Sequence, residues 1–195
     1  MLKNILLFPM LALLVGCAST VNLPPEAKSK IKTIKISENV TAPDGMFYYG
    51  RSAALLGNIG MLTEISAREQ LDKEAPPAEL KAINVTAFKN ALSKTHYRVV
   101  NGDADATMTI IIRSYGFIAP PFGLTKTIKP ELNVVAMLAN KKDQIIWIQW
   151  SYISDLSKNT PSTSEDELLA HPEKLRAIYQ LTANIAANQI VKTLT

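Results

Sequence analysis

Few side chains in this 195-residue sequence have the type or spacing of a reactive site. The only cysteine is Cys17, and the two histidines, His96 and His171, lie too far apart to form a local metal-binding motif. The densest carboxylate run is Glu165-Asp166-Glu167, which follows Ser164 at the spacing of a helix capping box. We therefore predict a solvated helix start at this run rather than a catalytic carboxylate pair.

The sequence also lacks the motifs of the common enzyme classes. It has no G-x-S-x-G, no G-x-G-x-x-G and no phosphate-loop lysine motif, so acyl transfer, dinucleotide chemistry and phosphoryl transfer lack their usual scaffolds. We expect a protein that is not an enzyme, with no cofactor and no resident metal ion. A hydrolase assembled from residues that are distant in sequence stays open as a third hypothesis.

Composition indicates one folded domain without a nucleic-acid partner. Hydrophobic residues make up 47% of the chain and charged residues 19%, which is too apolar for a disordered chain. Lysine and arginine exceed aspartate and glutamate by 21 to 17, but the basic residues are scattered rather than gathered in a stripe. The length suits about one domain.

The amino terminus has the pattern of a secretion signal. After a short, singly basic start, residues 5–15 form an apolar run interrupted only by Pro9. As a helix this run would be about 16 Å long, roughly half of the hydrocarbon core of a bilayer, so it suits a signal sequence and not a membrane span.

The end of this run, Leu14-Val15-Gly16-Cys17, resembles the lipobox of bacterial lipoproteins at all four positions. The resemblance implies recognition of Leu14, Val15 and Gly16 by the signal peptidase, cleavage after Gly16, and attachment of diacylglycerol to the Cys17 sulfur. A thiolate is the nucleophile this chemistry needs. The alternatives are an ordinary secretory signal with an incidental cysteine, or a buried structural cysteine.

The resemblance also implies a location. In this family an aspartate directly after the cysteine favours retention in the inner membrane, whereas Ala18-Ser19 here implies export to the outer membrane, with the body in the periplasm. Several acyl chains would make this membrane attachment effectively permanent. We predict a signal peptide over 1–16, a lipidated cysteine and flexible tether over 17–29, and a single domain over 30–195.

The hydrophobic pattern of the body predicts an α+β fold. Alternating segments predict strands, and segments with helical spacing predict helices, the last of which restarts at Pro172 and continues to the end. We predict a mixed, mostly antiparallel sheet of about five strands, a parallel pairing of the first two strands, helices on one face and a long C-terminal helix. The strands are expected over 30–40, 97–100, 107–117, 132–138 and 144–154, and the earlier helices over 53–71 and 79–94.

In size, anchor and element order, residues 30–195 resemble the small α+β lipoproteins that serve as accessory parts of envelope secretion, polysaccharide-export or lipopolysaccharide-assembly machines. The resemblance implies a non-enzymatic protein that is attached to the membrane by lipid and binds another envelope protein or itself. The alternative is a carrier of a small hydrophobic or lipidic ligand, which predicts an enclosed apolar cavity between helices and sheet.

Three segments are candidates for contact with a partner. The favoured loop carries aromatic and proline side chains, which dock at low cost in ordering, and consists of Phe117, Pro120, Pro121 and Phe122. The alternative is that its phenylalanines fold back onto the sheet. The uncharged segment 52–63 is interpreted as a core helix or buried loop in preference to a contact surface for a partner subunit or a membrane interface. Tyr48-Tyr49 with Arg51 form a third patch.

Overall fold

The computed structural model describes residues 20–120, 126–157 and 159–195. Six of the predicted site residues lie outside these ranges: Leu14, Val15, Gly16, Cys17, Pro121 and Phe122.

The described residues form seven α-helices and seven strands. The helices are α1 (Pro25–Lys30), α2 (Arg51–Leu56), α3 (Asn58–Thr63), α4 (Ile65–Glu74), α5 (Pro77–Leu92), α6 (Glu165–Ala170) and α7 (Lys174–Val191). The strands are β1 (Thr33–Ile36), β2 (Phe47–Tyr49), β3 (Arg98–Val99), β4 (Ala106–Ile118), β5 (Thr127–Asn140), β6 (Ile145–Ile153) and β7 (Thr163–Ser164). A short 3₁₀ turn, Lys192–Leu194, follows α7.

All strands join one mixed sheet, which confirms the predicted α+β class. The main order is β3-β1-β4-β5-β6; β2 pairs with the far end of β4, and β7 pairs with the start of β5. The first two predicted strands, β1 and β3, are parallel as expected, and β4, β5 and β6 form an antiparallel meander. Asp143, with a φ of 58°, completes the turn between β5 and β6.

Helices α5 and α7 cover one face of the sheet. The predicted apolar stripe of α5 is buried, as are the large side chains beneath the two helices. In β6 the side chains alternate, so that the indole nitrogen of Trp147 donates to Thr193 on the helix side. The largest fully buried side chains fill this layer: Trp147, Tyr115, Tyr179, Phe88 and Phe117.

The structure differs from the predicted tether in residues 21–30. Val21 exchanges two backbone hydrogen bonds of 2.9 Å with Ile148 on the outer edge of β6. Helix α1 follows, and Ile31 after it is buried in the core. An edge strand presents unpaired N–H and C=O groups, and Val21 satisfies two of those on β6. Val21 and helix α1, which lie within the predicted tether, therefore belong to the folded body.

The segment predicted as one helix over 53–71 consists of three short helices. Gly57 ends α2 and precedes α3 with a φ of 58°, a conformation that interrupts a right-handed helix. Glu64 separates α3 from α4. The last helix begins at Lys174, two residues beyond the predicted restart at Pro172.

Candidate functional site

The favoured contact loop is only partly available to a partner. Phe117 lies within β4, which continues to Ile118, and its side chain is fully buried with its ring centroid 5.7 Å from that of Tyr179. The expectation that Phe117 faces a partner is therefore corrected: its ring folds back into the core beneath α7. Pro120 is half-buried just after the strand, and the rest of the loop stays a prediction.

The larger apolar surface is on α2, α3 and the start of α4. It consists of five side chains that expose half to nearly three quarters of their area, and we call it the helix surface: Leu55, Leu56, Ile59, Leu62 and Ile65. Together with Met61, they are six of the twelve large exposed hydrophobic residues in the described part of the chain. Single exposed apolar residues are common, but a cluster of this kind is a candidate contact site. The interpretation of 52–63 as a core helix or buried loop is wrong for the members of this cluster that fall within it, whereas Ala53 is buried as expected.

Two glycines give this helix pair its shape. Gly57 makes the turn between α2 and α3, and a side chain there would meet no atom within 4 Å. At Gly60, a Cβ would lie 1.9 Å from the carbonyl oxygen of Ser52, so the two helices pack backbone against backbone. This close approach directs the larger side chains of both helices away from their contact and into solvent.

A buried carboxylate holds the first helix of the pair. Glu64 is only 6% exposed, and its two oxygens accept hydrogen bonds from the backbone N–H groups of Gly50 at 2.8 Å and Ala53 at 3.0 Å. The first N–H groups of a helix have no partner within the helix, and a negative charge near them is favourable. Glu64 therefore fixes the start of α2 from the far end of α3.

A second carboxylate, from the acidic run 165–167, also contacts the start of α2. Glu165 accepts a 2.7 Å hydrogen bond from the Tyr48 hydroxyl and a longer one, 3.3 Å, from the backbone N–H of Arg51. Burial, followed by the bond to Glu165, raises the pKa of Tyr48 well above its ordinary value, so its phenol stays protonated. Of the third predicted patch, Tyr48 is thus a buried support and not a contact residue.

The loop that precedes β2 is tied to α4 as well. The Asp72 carboxylate accepts a 2.7 Å hydrogen bond from the backbone N–H of Met46, and it lies 3.6 Å from the Arg68 guanidinium. Between β2 and α4 lies a groove of about 260 Å³, whose lining includes Met61 and Leu62. The groove is thus continuous with the helix surface.

The predicted chemical residues serve other purposes. Ser164 accepts a hydrogen bond from the backbone N–H of Glu167, which confirms the predicted helix cap, and the Glu167 carboxylate pairs with Lys174 at 2.7 Å. His96 and His171 are both exposed. Within the described ranges, no group of three or more His, Cys, Asp or Glu side chains is placed to hold a metal ion.

No family model and no curated protein matches this chain. Among solved structures, the chain is similar to the PelC dodecamer from Paraburkholderia phytofirmans, with 9% identity and a TM-score of 0.39 over 91% of this chain and 98% of that chain. It is also similar to protein XCC0632 of family DUF330 from Xanthomonas campestris, with 10% identity and a TM-score of 0.45 over 87% and 86%. A third similarity is to lipoprotein GNA1162 from Neisseria meningitidis, with 14% identity and a TM-score of 0.29 over 78% and 99%.

All three TM-scores are below 0.5, so the function is argued below from the residues of this chain. None of the helices in the described residues is both long and apolar enough to span a bilayer.

Proposed function

We propose that this protein is a lipoprotein of the cell envelope that is held on the outer membrane through Cys17 and binds another envelope protein through its periplasmic body. The lipobox-like sequence Leu14-Val15-Gly16-Cys17 supports the anchor. Of the residues considered for catalysis, Glu167 pairs with Lys174, His171 lies beside Glu173 and His96 is exposed, which favours a non-enzymatic role.

The observation that carries the proposed binding role is the helix surface. Burying a large aliphatic side chain contributes about 1.5–3 kcal/mol, so several neighbouring ones can supply the centre of a binding site. The backbone beneath this surface is fixed by Glu64 and Glu165 rather than left unsatisfied. The apolar side chains are therefore displayed by a well-ordered support.

The same packing disfavours the carrier hypothesis. A carrier would hold its ligand between the helices and the sheet, where fully buried aromatic side chains such as Trp147 and Phe88 lie. The observed groove beside the helix surface is lined partly by exposed side chains and lies outside that layer.

Site-specific photo-crosslinking in living cells tests the proposed partner. We place a photoreactive phenylalanine at Ile59 or at Leu62 in the full-length chain, and at Leu181 on α7 as the matched exposed control. We expect a discrete adduct from the first two positions that contains an envelope protein identified by mass spectrometry, and no such adduct from Leu181. The adduct formed from Ile59 should be lost when Leu56 is also changed to serine, because that change removes apolar area next to the probe.

Two outcomes would contradict this proposal. Adducts with lipid alone would show that the helix surface faces a bilayer and not a protein. Equal yields from Ile59, Leu62 and Leu181 would show that the contact is unspecific. Mass spectrometry of the purified protein tests the anchor separately, since a free Cys17 thiol would contradict the proposed lipidation.

A further inference from the structure

The sheet face that points away from α5 and α7 carries a second set of apolar side chains. In β6, Ser151 donates to Gln189 of α7, so the alternate side chains Trp150 and Tyr152 lie on the opposite face. Trp150 is 43% exposed and Tyr152 is 45% exposed. Large aromatic rings this exposed require a physical reason, because their burial is strongly favourable.

The strand register places these rings beside other apolar residues. Val135 of β5 lies between Trp150 of β6 and Ile111 of β4. Two residues earlier in β6, Ile148 lies between Met137 of β5 and Val21. Polar residues share these rows, since Thr109 is paired with Met137 and Asn133 with Tyr152. We call the apolar set the open sheet face; Val135 is buried within it and the others are at least partly exposed: Val21, Ile111, Val135, Met137, Ile148, Trp150 and Tyr152.

The open sheet face has the composition that suits a membrane interface. Tryptophan and tyrosine concentrate at the headgroup level of bilayers, where an apolar ring and a polar group are both accommodated. The Tyr152 hydroxyl donates to the Glu131 carboxylate at 2.9 Å, and burial together with this bond raises the pKa of Tyr152 to about 12. The Tyr152 phenol therefore stays protonated and uncharged at neutral pH.

The length of chain before the sheet limits how far this face can be from the anchor. Val21 is held on β6 by two backbone hydrogen bonds, and Asn22 accepts a 3.2 Å hydrogen bond from the Gln149 side chain. Only three residues, 18–20, separate Val21 from Cys17, which makes four Cα–Cα steps. Fully extended, they span at most about 14 Å, about half of the roughly 30 Å diameter of a small domain.

A lipid attached to Cys17 therefore keeps the edge of β6 close to the bilayer. Val21 is itself on the open sheet face and directly beside Ile148. We propose that the open sheet face rests on the phospholipid surface, with the rings of Trp150 and Tyr152 in the headgroup region. This inference rests on the proposed lipid anchor, and it identifies the lipid bilayer as the occupant of this face.

Fluorescence quenching by brominated lipids tests this orientation, because the chain has two tryptophans on opposite faces of one strand. The lipidated full-length protein is purified from membranes and placed in vesicles of phosphatidylethanolamine and phosphatidylglycerol, with or without bromine on the acyl chains. The Trp147→Phe variant leaves only Trp150, and the Trp150→Phe variant leaves only the buried Trp147. We expect brominated vesicles to quench the fluorescence of Trp150 and to leave that of Trp147 unchanged.

If Trp147→Phe fails to fold, the difference between the unmodified protein and Trp150→Phe reports on the same ring. Mass spectrometry of the same preparation shows whether Cys17 carries its lipid. A lipidated protein whose Trp150 is not quenched would overturn this inference and leave the proposed function standing. Protection of Trp150 from aqueous acrylamide without quenching by lipid would instead show that a protein, such as a second copy, covers the face. A missing anchor would overturn the proposed function and this inference with it.

Discussion

Gly50 is the position where the support of the helix surface is tightest. A Cβ at this residue would lie 2.4 Å from a Glu165 carboxylate oxygen, and 2.7 Å from both a Glu64 oxygen and the Tyr48 ring. All three side chains are engaged in the hydrogen bonds that fix the start of α2, so none can withdraw without losing a bond. The glycine is required here for space rather than for an unusual φ, which is −80°.

We therefore expect Gly50→Ala to lower the free energy of unfolding by about 1–3 kcal/mol, the usual range for an overpacked site. Urea denaturation of the purified protein measures this effect. Gly102→Ala is the matched control, because a Cβ at Gly102 would meet no atom within 4 Å and the backbone φ there is not in the left-handed region. Equal stability of the two variants would contradict the packing described around Gly50.

The role of Glu64 illustrates which residue-level features the sequence did not predict. Its partners, Gly50 and Ala53, are 14 and 11 residues away, and they meet it only because Gly57 and Gly60 fold two short helices back on each other. A pattern read along one continuous helix cannot bring those residues together. The Ser164 cap, in contrast, depends on contacts within four residues and was predicted correctly.

At the scale of elements, one side chain reinforces the attachment of β1, in addition to its backbone pairing with β3 and β4. Asp105, just before β4, accepts hydrogen bonds of 2.9 Å from the backbone N–H groups of Lys32 and Thr33 and from the Thr33 hydroxyl. These bonds hold the pKa of Asp105 below its ordinary value of 3.8, and the bond from the backbone N–H of Lys32 has the largest effect. The contact joins β1 to β4, which are adjacent and parallel in the sheet.

Because the pKa of Asp105 is lower in the folded state than in the unfolded state, its contribution to stability is complete above the unfolded value and is lost as the pH falls through the folded one. We expect Asp105→Asn to be less stable than the unmodified protein at about pH 7, and this difference to shrink below about pH 4. Urea denaturation across this pH range measures it. The control is Asp103→Asn, because the exposed ion pair of Asp103 with Lys141 should contribute little to the free energy of unfolding. If the loss of stability in Asp105→Asn stayed constant with pH, the stabilising role assigned to the Asp105 carboxylate would be wrong.

Elements with regular periodicity could be predicted from the sequence, and irregular ones could not. The alternating strands β4 and β6 and the apolar stripe of α5 occur close to their expected positions because their packing partners impose the same period. The pairing of Val21 with Ile148 was missed because one residue at a sheet edge has no period. Phe117 ends the strand expected over 107–117, but it was also grouped with the contact loop because aromatic and proline residues follow it; the structure buries its ring instead.

At the scale of the whole molecule, the fold gives the two apolar surfaces different relations to the anchor. The open sheet face includes Val21, four residues from Cys17, whereas the helix surface is on helices that begin thirty residues after Val21, at Arg51. The proposed lipid on Cys17 would hold the sheet face near the bilayer without requiring high affinity, because a short connection keeps the local concentration of the surface high. The helix surface has no such constraint and is the better candidate for a protein partner.

Lengthening that connection should separate the two contacts. We expect insertion of a ten-residue glycine-serine segment after Thr20 to reduce the quenching of Trp150 by brominated lipids, because the effective concentration of a tethered group falls as its linker lengthens. The same insertion after the exposed Gly102 is the control and should leave the quenching unchanged. Crosslinking from Ile59 should persist in both proteins, since it depends on the partner and not on the distance to the bilayer. Unchanged quenching after the insertion at Thr20 would show that the sheet face binds lipid by its own affinity, and that the short connection is not what holds the body on the membrane.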